Sequence, residues 1–70
     1  MKYRILIVDD EDMILSMMEK CLKVTFSVYT ADSAKRALEL LSINPDIILL
    51  DINMPEMDGL ELCRHIRSHI

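Results

Sequence analysis

The sequence predicts an α/β fold in which helices cover a parallel β-sheet. Short apolar runs alternate along the chain with segments whose apolar residues recur at helical spacing, so the predicted order is βαβαβα. The predicted connections are short, and strands joined through helices form parallel sheets with right-handed crossovers. With 70 residues, of which 51% are hydrophobic, the chain is expected to be globular and to form one domain at most.

The first strand and helix have the clearest pattern. Residues 3–8, YRILIV, form a nearly unbroken apolar run, which is typical of a strand covered on both faces. In residues 12–24 the apolar positions repeat at i, i+3, i+4, i+7 and i+8, which predicts a helix with one buried stripe. The predicted stripe consists of Ile14, Met17, Met18, Cys21 and Leu22. Methionines at this spacing are interpreted as core residues rather than ligands.

The second unit begins with residues 26–31, FSVYTA, which alternate as a short strand. Asp32 and Ser33 offer N-cap side chains for the helix that follows. Pro45 is predicted to end this helix, because the residue before a proline disfavours the α region. The helical stripe consists of Ala34, Ala37, Leu38 and Leu41.

The third unit begins with residues 47–50, IILL, as a buried strand. After a turn, a third amphipathic helix is marked by Gly59, Leu62, Cys63, Ile66 and Ile70. Cys21 and Cys63 lack the spacing of metal ligands and are expected to be buried free thiols.

Charge and hydropathy exclude several functions. Eight basic residues against twelve acidic ones give a formal charge of -4, without the Lys/Arg cluster that tracks a nucleic-acid backbone. No apolar run is long enough to span a bilayer, and the N-terminus lacks the pattern of a cleavable signal. We therefore expect a cytoplasmic location, without direct nucleic-acid or membrane binding.

Three aspartates follow strands of the predicted sheet. Asp9 and Asp10 come after the first strand and Asp51 after the third, and the functional crevice of such sheets lies at the carboxyl ends of the strands. Singly, each could serve as a helix cap or loop residue. Together, three carboxylates repel one another unless a cation neutralises them, and hard oxygen ligands favour Mg²⁺. The sequence therefore predicts a site for Mg²⁺ and a phosphoryl group.

Two other ligand-binding motifs do not fit. Asp51 and Asn53 match positions 1 and 3 of an EF-hand, but Pro55 occupies the fifth position and Leu62 stands where the bidentate glutamate belongs. A nucleotide-binding loop is also disfavoured, because the chain has a single glycine and no phosphate-binding lysine motif.

The segments ILIVDDE and IILLDINMPEMDGLEL resemble the receiver domain of two-component response regulators, which has a flavodoxin-like (CheY-like) fold. The resemblance implies that Asp51 accepts a phosphoryl group from a sensor histidine kinase or a phosphotransfer protein. It further implies that Asp10 and Asp51 ligate Mg²⁺ directly, that Asp9 acts largely through water and that Asn53 contributes its backbone carbonyl. Such a domain is a signalling phosphoacceptor that assists its own phosphorylation and dephosphorylation, not an enzyme in its own right.

The resemblance covers residues 1–70 as the first three βα units of a receiver. It implies a sheet of strand order 2-1-3, in which the fourth and fifth strands, with the family's Ser/Thr and Lys positions, are absent. The third strand then forms an edge with an apolar sequence, and such edges pair with other chains. Self-association through this strand is therefore expected.

Two rival functions are considered beside the phosphoacceptor. A pseudo-receiver would keep the fold as an interaction module or assembly fragment without being phosphorylated, although intact Asp9, Asp10 and Asp51 speak against it. A haloacid-dehalogenase-like phosphohydrolase would also form an aspartyl phosphate beside Mg²⁺. That family has a DxD pair after the first strand, whereas the acids here are adjacent and the predicted nucleophile follows the third strand.

Overall fold

The computed structural model describes residues 2–51, 63–64 and 66–68. The elements are strand β1 (Arg4–Val8), helix α1 (Asp12–Leu22), strand β2 (Ser27–Ala31), helix α2 (Ala34–Glu39), a 3-10 turn (Leu40–Ile43) and strand β3 (Ile47–Leu50). Residues 63, 64, 66 and 67 are helical, in agreement with the predicted third helix. Within this described part, each helix falls short of the length and apolar content that crossing a membrane requires.

The sheet contains three strands in the order β2-β1-β3, and both neighbouring pairs are parallel. This confirms the predicted order 2-1-3. The register places Val8 of β1 opposite both Ala31 of β2 and Leu50 of β3. All three strands therefore end at one edge of the sheet, where the residues that follow them are neighbours in space.

The central strand β1 is covered on both faces, as its continuous apolar sequence predicts. Alternate side chains point to opposite faces of a strand. Leu6 and Val8 pack with α2 and the C-terminal helical segment, whereas Ile5 and Ile7 pack with α1. The α2 side also includes Ala31, Ala34, Ala37 and Ile66. Small alanine side chains let α2 approach the sheet closely.

The ends of α2 follow local chemistry. The hydroxyl oxygen of Ser33 accepts a hydrogen bond from the backbone N–H of Arg36 at 3.1 Å, which confirms the predicted N-cap. The α-helix ends at Glu39, earlier than the apolar stripe predicts, and continues as the 3-10 turn. Asn44, the residue before Pro45, adopts the left-handed conformation with φ of 55°, which stops the helical path.

The buried face of α1 agrees with the predicted one at Met18 and Leu22 and differs from it at Met17 and Cys21. Leu15 is buried, and Met18 and Leu22 pack beside it, whereas Met17 and Cys21 are exposed. The prediction was wrong at Met17 and Cys21 because α1 has more apolar residues than one stripe needs, so two neighbouring faces fit the helical period. The packing of α1 against β1 and β2 selects the face that contains Leu15.

Both cysteines are free and exposed. The prediction of buried thiols was therefore wrong at Cys21 and at Cys63. Cys21 lies on the face of α1 that packing did not select.

Besides the β-ladder, hydrogen bonds join the start of β1 to the segment that leads into β3. The backbone N–H of Arg4 donates to the carboxylate of Asp46 at 2.8 Å, and the N–H of Asp46 donates to the carbonyl of Arg4 at 2.8 Å. The guanidinium of Arg4 also donates to the carbonyl of Ile43 at 2.8 Å. These reciprocal bonds hold β3 in register with β1 and so fix where β3 delivers Asp51.

Candidate functional site

Asp9 and Asp51 have backbones that are held by the strand next to their own. The N–H of Asp9 donates to the carbonyl of Ala31 at 3.1 Å, and the N–H of Asp51 donates to the carbonyl of Val8 at 2.9 Å. Each bond extends the parallel ladder by one residue beyond the strand. Both aspartates are therefore positioned by the sheet and not by a loop alone.

The structure brings together the three aspartates that the sequence analysis singled out. Asp9, Asp10 and Asp51 each offer a carboxylate oxygen, and these oxygens lie within 4.8 Å of one another. Asp9 and Asp51 are half-buried and Asp10 is exposed. We refer to these three residues as the aspartate cluster.

The size of the aspartate cluster is compatible with one small cation. Oxygen ligands of an octahedral Mg²⁺ lie about 2.1 Å from the ion, which places them about 3.0 to 4.2 Å from one another. The three oxygens of the cluster, all within 4.8 Å of one another, lie close to that range.

Asp9 has a second role in the path of the chain. Its Oδ1 atom accepts a hydrogen bond from the backbone N–H of Glu11 at 2.9 Å, forming the local turn that leads from β1 into α1. One of its two carboxylate oxygens is thus already engaged. Asp9 therefore has less capacity for direct metal ligation than a carboxylate with both oxygens available.

Two members of the aspartate cluster, Asp9 and Asp51, line an open groove of about 530 Å³ between α1 and β3. Asp9, Asp51 and Glu11 contribute its acidic end, and the walls are apolar. The wall residues include Ile7, Ile14, Met18, Leu49 and Leu50. Sequence reasoning did not single out Glu11 as a groove residue, although its place after the adjacent pair Asp9 and Asp10 was a usable signal.

Asn53, Pro55 and Gly59 lie outside the described residues. The implied backbone ligand from Asn53 therefore stays a prediction.

The sequence comparisons agree with this geometry. The family model described as the response regulator receiver domain matches residues 5–70. The regulatory protein AtoC of Escherichia coli strain K12 is 44% identical over 68 residues, a match that covers 94% of this chain and 15% of AtoC. The transcriptional regulatory protein YrkP of Bacillus subtilis strain 168 is 43% identical over 69 residues, which cover 97% of this chain and 30% of YrkP.

Solved structures show the same fold. The chemotaxis protein CheY4 of Vibrio cholerae superposes with a TM-score of 0.94 at 31% identity, covering 99% of this chain and 59% of CheY4. The N-terminal domain of a response regulator receiver protein from Methanoculleus marisnigri JR1 superposes with a TM-score of 0.87 at 40% identity, covering 94% of this chain and 55% of that domain.

Fold and site together define a CheY-like signalling domain: a parallel sheet of order 2-1-3 with aspartates at the carboxyl ends of its strands. The chain belongs to the response regulator receiver domain family. It spans 15% and 30% of the two curated regulators and a little over half of the two receiver structures.

Proposed function

We propose that this chain is a phosphoacceptor that receives a phosphoryl group on Asp51 in the presence of Mg²⁺. The observation that supports the proposal is the aspartate cluster, with three carboxylate oxygens within 4.8 Å of one another at the carboxyl edge of the sheet. Three carboxylates this close together repel one another unless a cation is bound between them. Mg²⁺ suits this position, because it also binds phosphoryl oxygens. We further propose that residues 1–70 act as the first three βα units of the receiver domain.

In this proposal a carboxylate oxygen of Asp51 attacks the phosphorus atom of a phosphohistidine in line with the P–N bond. The new O–P bond forms as the P–N bond breaks, and the imidazole leaves with the electron pair and takes up a proton. The hydrogen bond from the Asp51 N–H to the Val8 carbonyl holds the nucleophile in place. Asp10 and Asp51 would ligate Mg²⁺ directly and Asp9 largely through water. When bound, the ion offsets negative charge on the phosphoryl oxygens.

The direct test is phosphorylation of the purified chain by acetyl phosphate with Mg²⁺. We expect intact mass spectrometry to show one added phosphoryl group, and we expect no adduct in Asp51→Asn, because an amide nitrogen or oxygen is a poor nucleophile at phosphorus. Omitting Mg²⁺ should also remove the adduct.

Asp32→Asn is the matched control. Asp32 is an exposed aspartate that follows β2, and it lies outside the aspartate cluster. This variant should be phosphorylated as fast as the parent chain. An adduct that persists in Asp51→Asn, or no adduct in a parent chain shown to be folded by circular dichroism, would contradict the proposal.

The proposed phosphodonor is a sensor histidine kinase or a phosphotransfer protein, and the proposed location is the cytoplasm. Receiver domains of response regulators interact with such donors, and the match over residues 5–70 supports the same partner class here.

A pseudo-receiver is the second candidate, and Mg²⁺ binding separates it from the phosphoacceptor. Membership of the receiver family disfavours the phosphohydrolase.

We also propose that β3 supports self-association. Among the described residues β3 pairs with β1 alone, and its Ile47 and Leu49 side chains are 39% and 38% exposed. An edge strand with exposed apolar side chains is a template for pairing with another chain.

A charged side chain introduced on the edge strand β3 tests the proposed self-association. We expect Ile47→Lys to lower the weight-average mass in analytical ultracentrifugation, because lysine on an edge strand opposes pairing. Tyr3→Lys is the control, since Tyr3 is exposed outside the described strands. Equal masses for the parent and Ile47→Lys across the concentration range would exclude β3 as a contact.

A further inference from the structure

The outer surface of α1 carries a row of exposed apolar residues. Three of them are spaced by four residues along one side of the helix, and the fourth follows the helix three residues further on. The row consists of Met13, Met17, Cys21 and Val24, where Val24 lies in the turn that follows the helix. Met13 is 83% exposed and Val24 77% exposed. We call these four residues the outer seam, a feature that a helix with one buried face does not need.

A polar row runs beside the outer seam and has opposite charges at its two ends. It consists of Asp12, Ser16, Lys20 and Lys23, each of them exposed and each directly before a seam member in the sequence. The exposed Glu19, four residues before Lys23, adds one carboxylate beside the two lysines. The ammonium group of Lys2 donates to the carbonyl of Lys23 at 3.1 Å, which adds a third positive charge at the basic end. The row is therefore acidic at the start of α1 and basic at its end.

We propose that the outer seam is a contact between two copies of this chain, in which α1 packs antiparallel against α1 of the second copy. A two-fold axis perpendicular to both helices places the two polar rows on the same side of the contact and in opposite directions. Asp12 of each copy then faces Lys23 of the other. The macrodipoles of the two helices are also opposed in this arrangement, which is favourable.

Self-complementarity is the reason for choosing a second copy as the occupant. A two-fold contact uses one surface twice, so that surface must supply both members of every interaction. The outer seam and the polar row beside it together meet this condition. The apolar side chains of the seam can pack against the same side chains of a second copy, and the polar row has both signs of charge. Intervals of three and four residues are also those of side chains that interdigitate between packed helices.

A parallel arrangement does not satisfy the same charges. A two-fold axis along the helices places the two polar rows on opposite sides of the contact, where Asp12 and Lys23 cannot meet. It also aligns the two macrodipoles, which is unfavourable. The antiparallel arrangement is therefore the one that the charges specify.

The contact is separate from the proposed pairing of β3, so the experiment is done in the Ile47→Lys chain, in which β3 pairing is opposed. We expect this chain to form a dimer reversibly and weakly in analytical ultracentrifugation, because a contact along one short helix is small. Adding Met17→Glu should weaken the dimer about tenfold or more, since it places a charge in the seam. Glutamate favours helix, and circular dichroism verifies the fold.

A charge swap tests the antiparallel geometry. Lys23→Glu alone should weaken the dimer by roughly threefold to tenfold, because the new carboxylate faces Asp12 of the second copy. Asp12→Lys alone should weaken it similarly. The double variant Asp12→Lys/Lys23→Glu should recover most of the affinity, since it restores opposite charges across the axis.

The two exposed cysteines provide an internal comparison. Cys21 lies in the outer seam, whereas Cys63 lies in the C-terminal helical segment, and both are free and exposed. A short bis-maleimide should cross-link the Cys63→Ser chain into a covalent dimer through Cys21, and the Cys21→Ser chain much less. A monomeric Ile47→Lys chain at all concentrations, a dimer unaffected by Met17→Glu, or equal cross-linking through both cysteines would overturn the inference.

Discussion

Replacing Leu6 with alanine is expected to destabilise the chain by about 3 kcal/mol, within the usual range for a buried leucine. Leu6 is fully buried in the central strand and belongs to the core on the α2 side of the sheet. The substitution removes apolar contacts and leaves a cavity that its neighbours on β1 cannot fill. A domain of this length has a free energy of unfolding of roughly 4 to 10 kcal/mol, so the variant should be close to unfolding.

Urea unfolding followed by circular dichroism measures this effect. Leu49→Ala is the matched control, because it makes the same chemical change in the same sheet at a side chain that is 38% exposed. We expect it to cost less than half as much, since much of its apolar surface is already in water. Equal losses at Leu6 and Leu49 would contradict the assignment of β1 as the centre of the core.

The second large effect is expected from Mg²⁺. If the aspartate cluster binds the ion only in the folded chain, Mg²⁺ at a hundred times its dissociation constant should stabilise the fold by about 2.7 kcal/mol. The physical reason is that the cation offsets the repulsion among three carboxylates held within 4.8 Å of one another. Thermal unfolding with and without Mg²⁺, at constant ionic strength, measures the shift.

Asp10→Asn should remove most of this stabilisation, because Asp10 is an implied direct ligand. In metal-free buffer the same variant should melt at a higher temperature than the parent, since one of three repelling charges has been neutralised. Asp32→Asn is again the control and should keep the full Mg²⁺ response. A similar response in the parent and Asp10→Asn would identify a general ionic effect and count against the site. If the parent chain is folded but does not bind Mg²⁺, the pseudo-receiver is favoured instead.

The convergence of the acids was predictable from the sequence for a simple reason. Parallel strands end at one edge of the sheet, so residues that directly follow the strands become neighbours once the strands are identified. Asp9, Asp10 and Asp51 meet this condition. The hydrogen bond from Glu11 to Asp9 was not predictable, because it depends on the turn between β1 and α1.

The two faces of α1 illustrate the opposite case. Periodicity indicated a helix, and the helix is present at Asp12–Leu22. Periodicity identified the buried face only in part: it included Met18 and Leu22, but it did not separate Leu15 from Met17, since both are able to lie against a sheet. Only the packing of α1 on β1 and β2 distinguishes them, and it leaves Met17 in the outer seam.

The sequence by itself determined the elements, the buried central strand and the three aspartates at the strand ends, because these depend on local apolar patterns and on the order of residues along the chain. The tertiary structure alone decided which face of α1 is buried, how Arg4 and Asp46 lock β3 in register, and how near the three carboxylates lie. Those properties depend on contacts between residues far apart in the chain, which a local pattern permits but does not select.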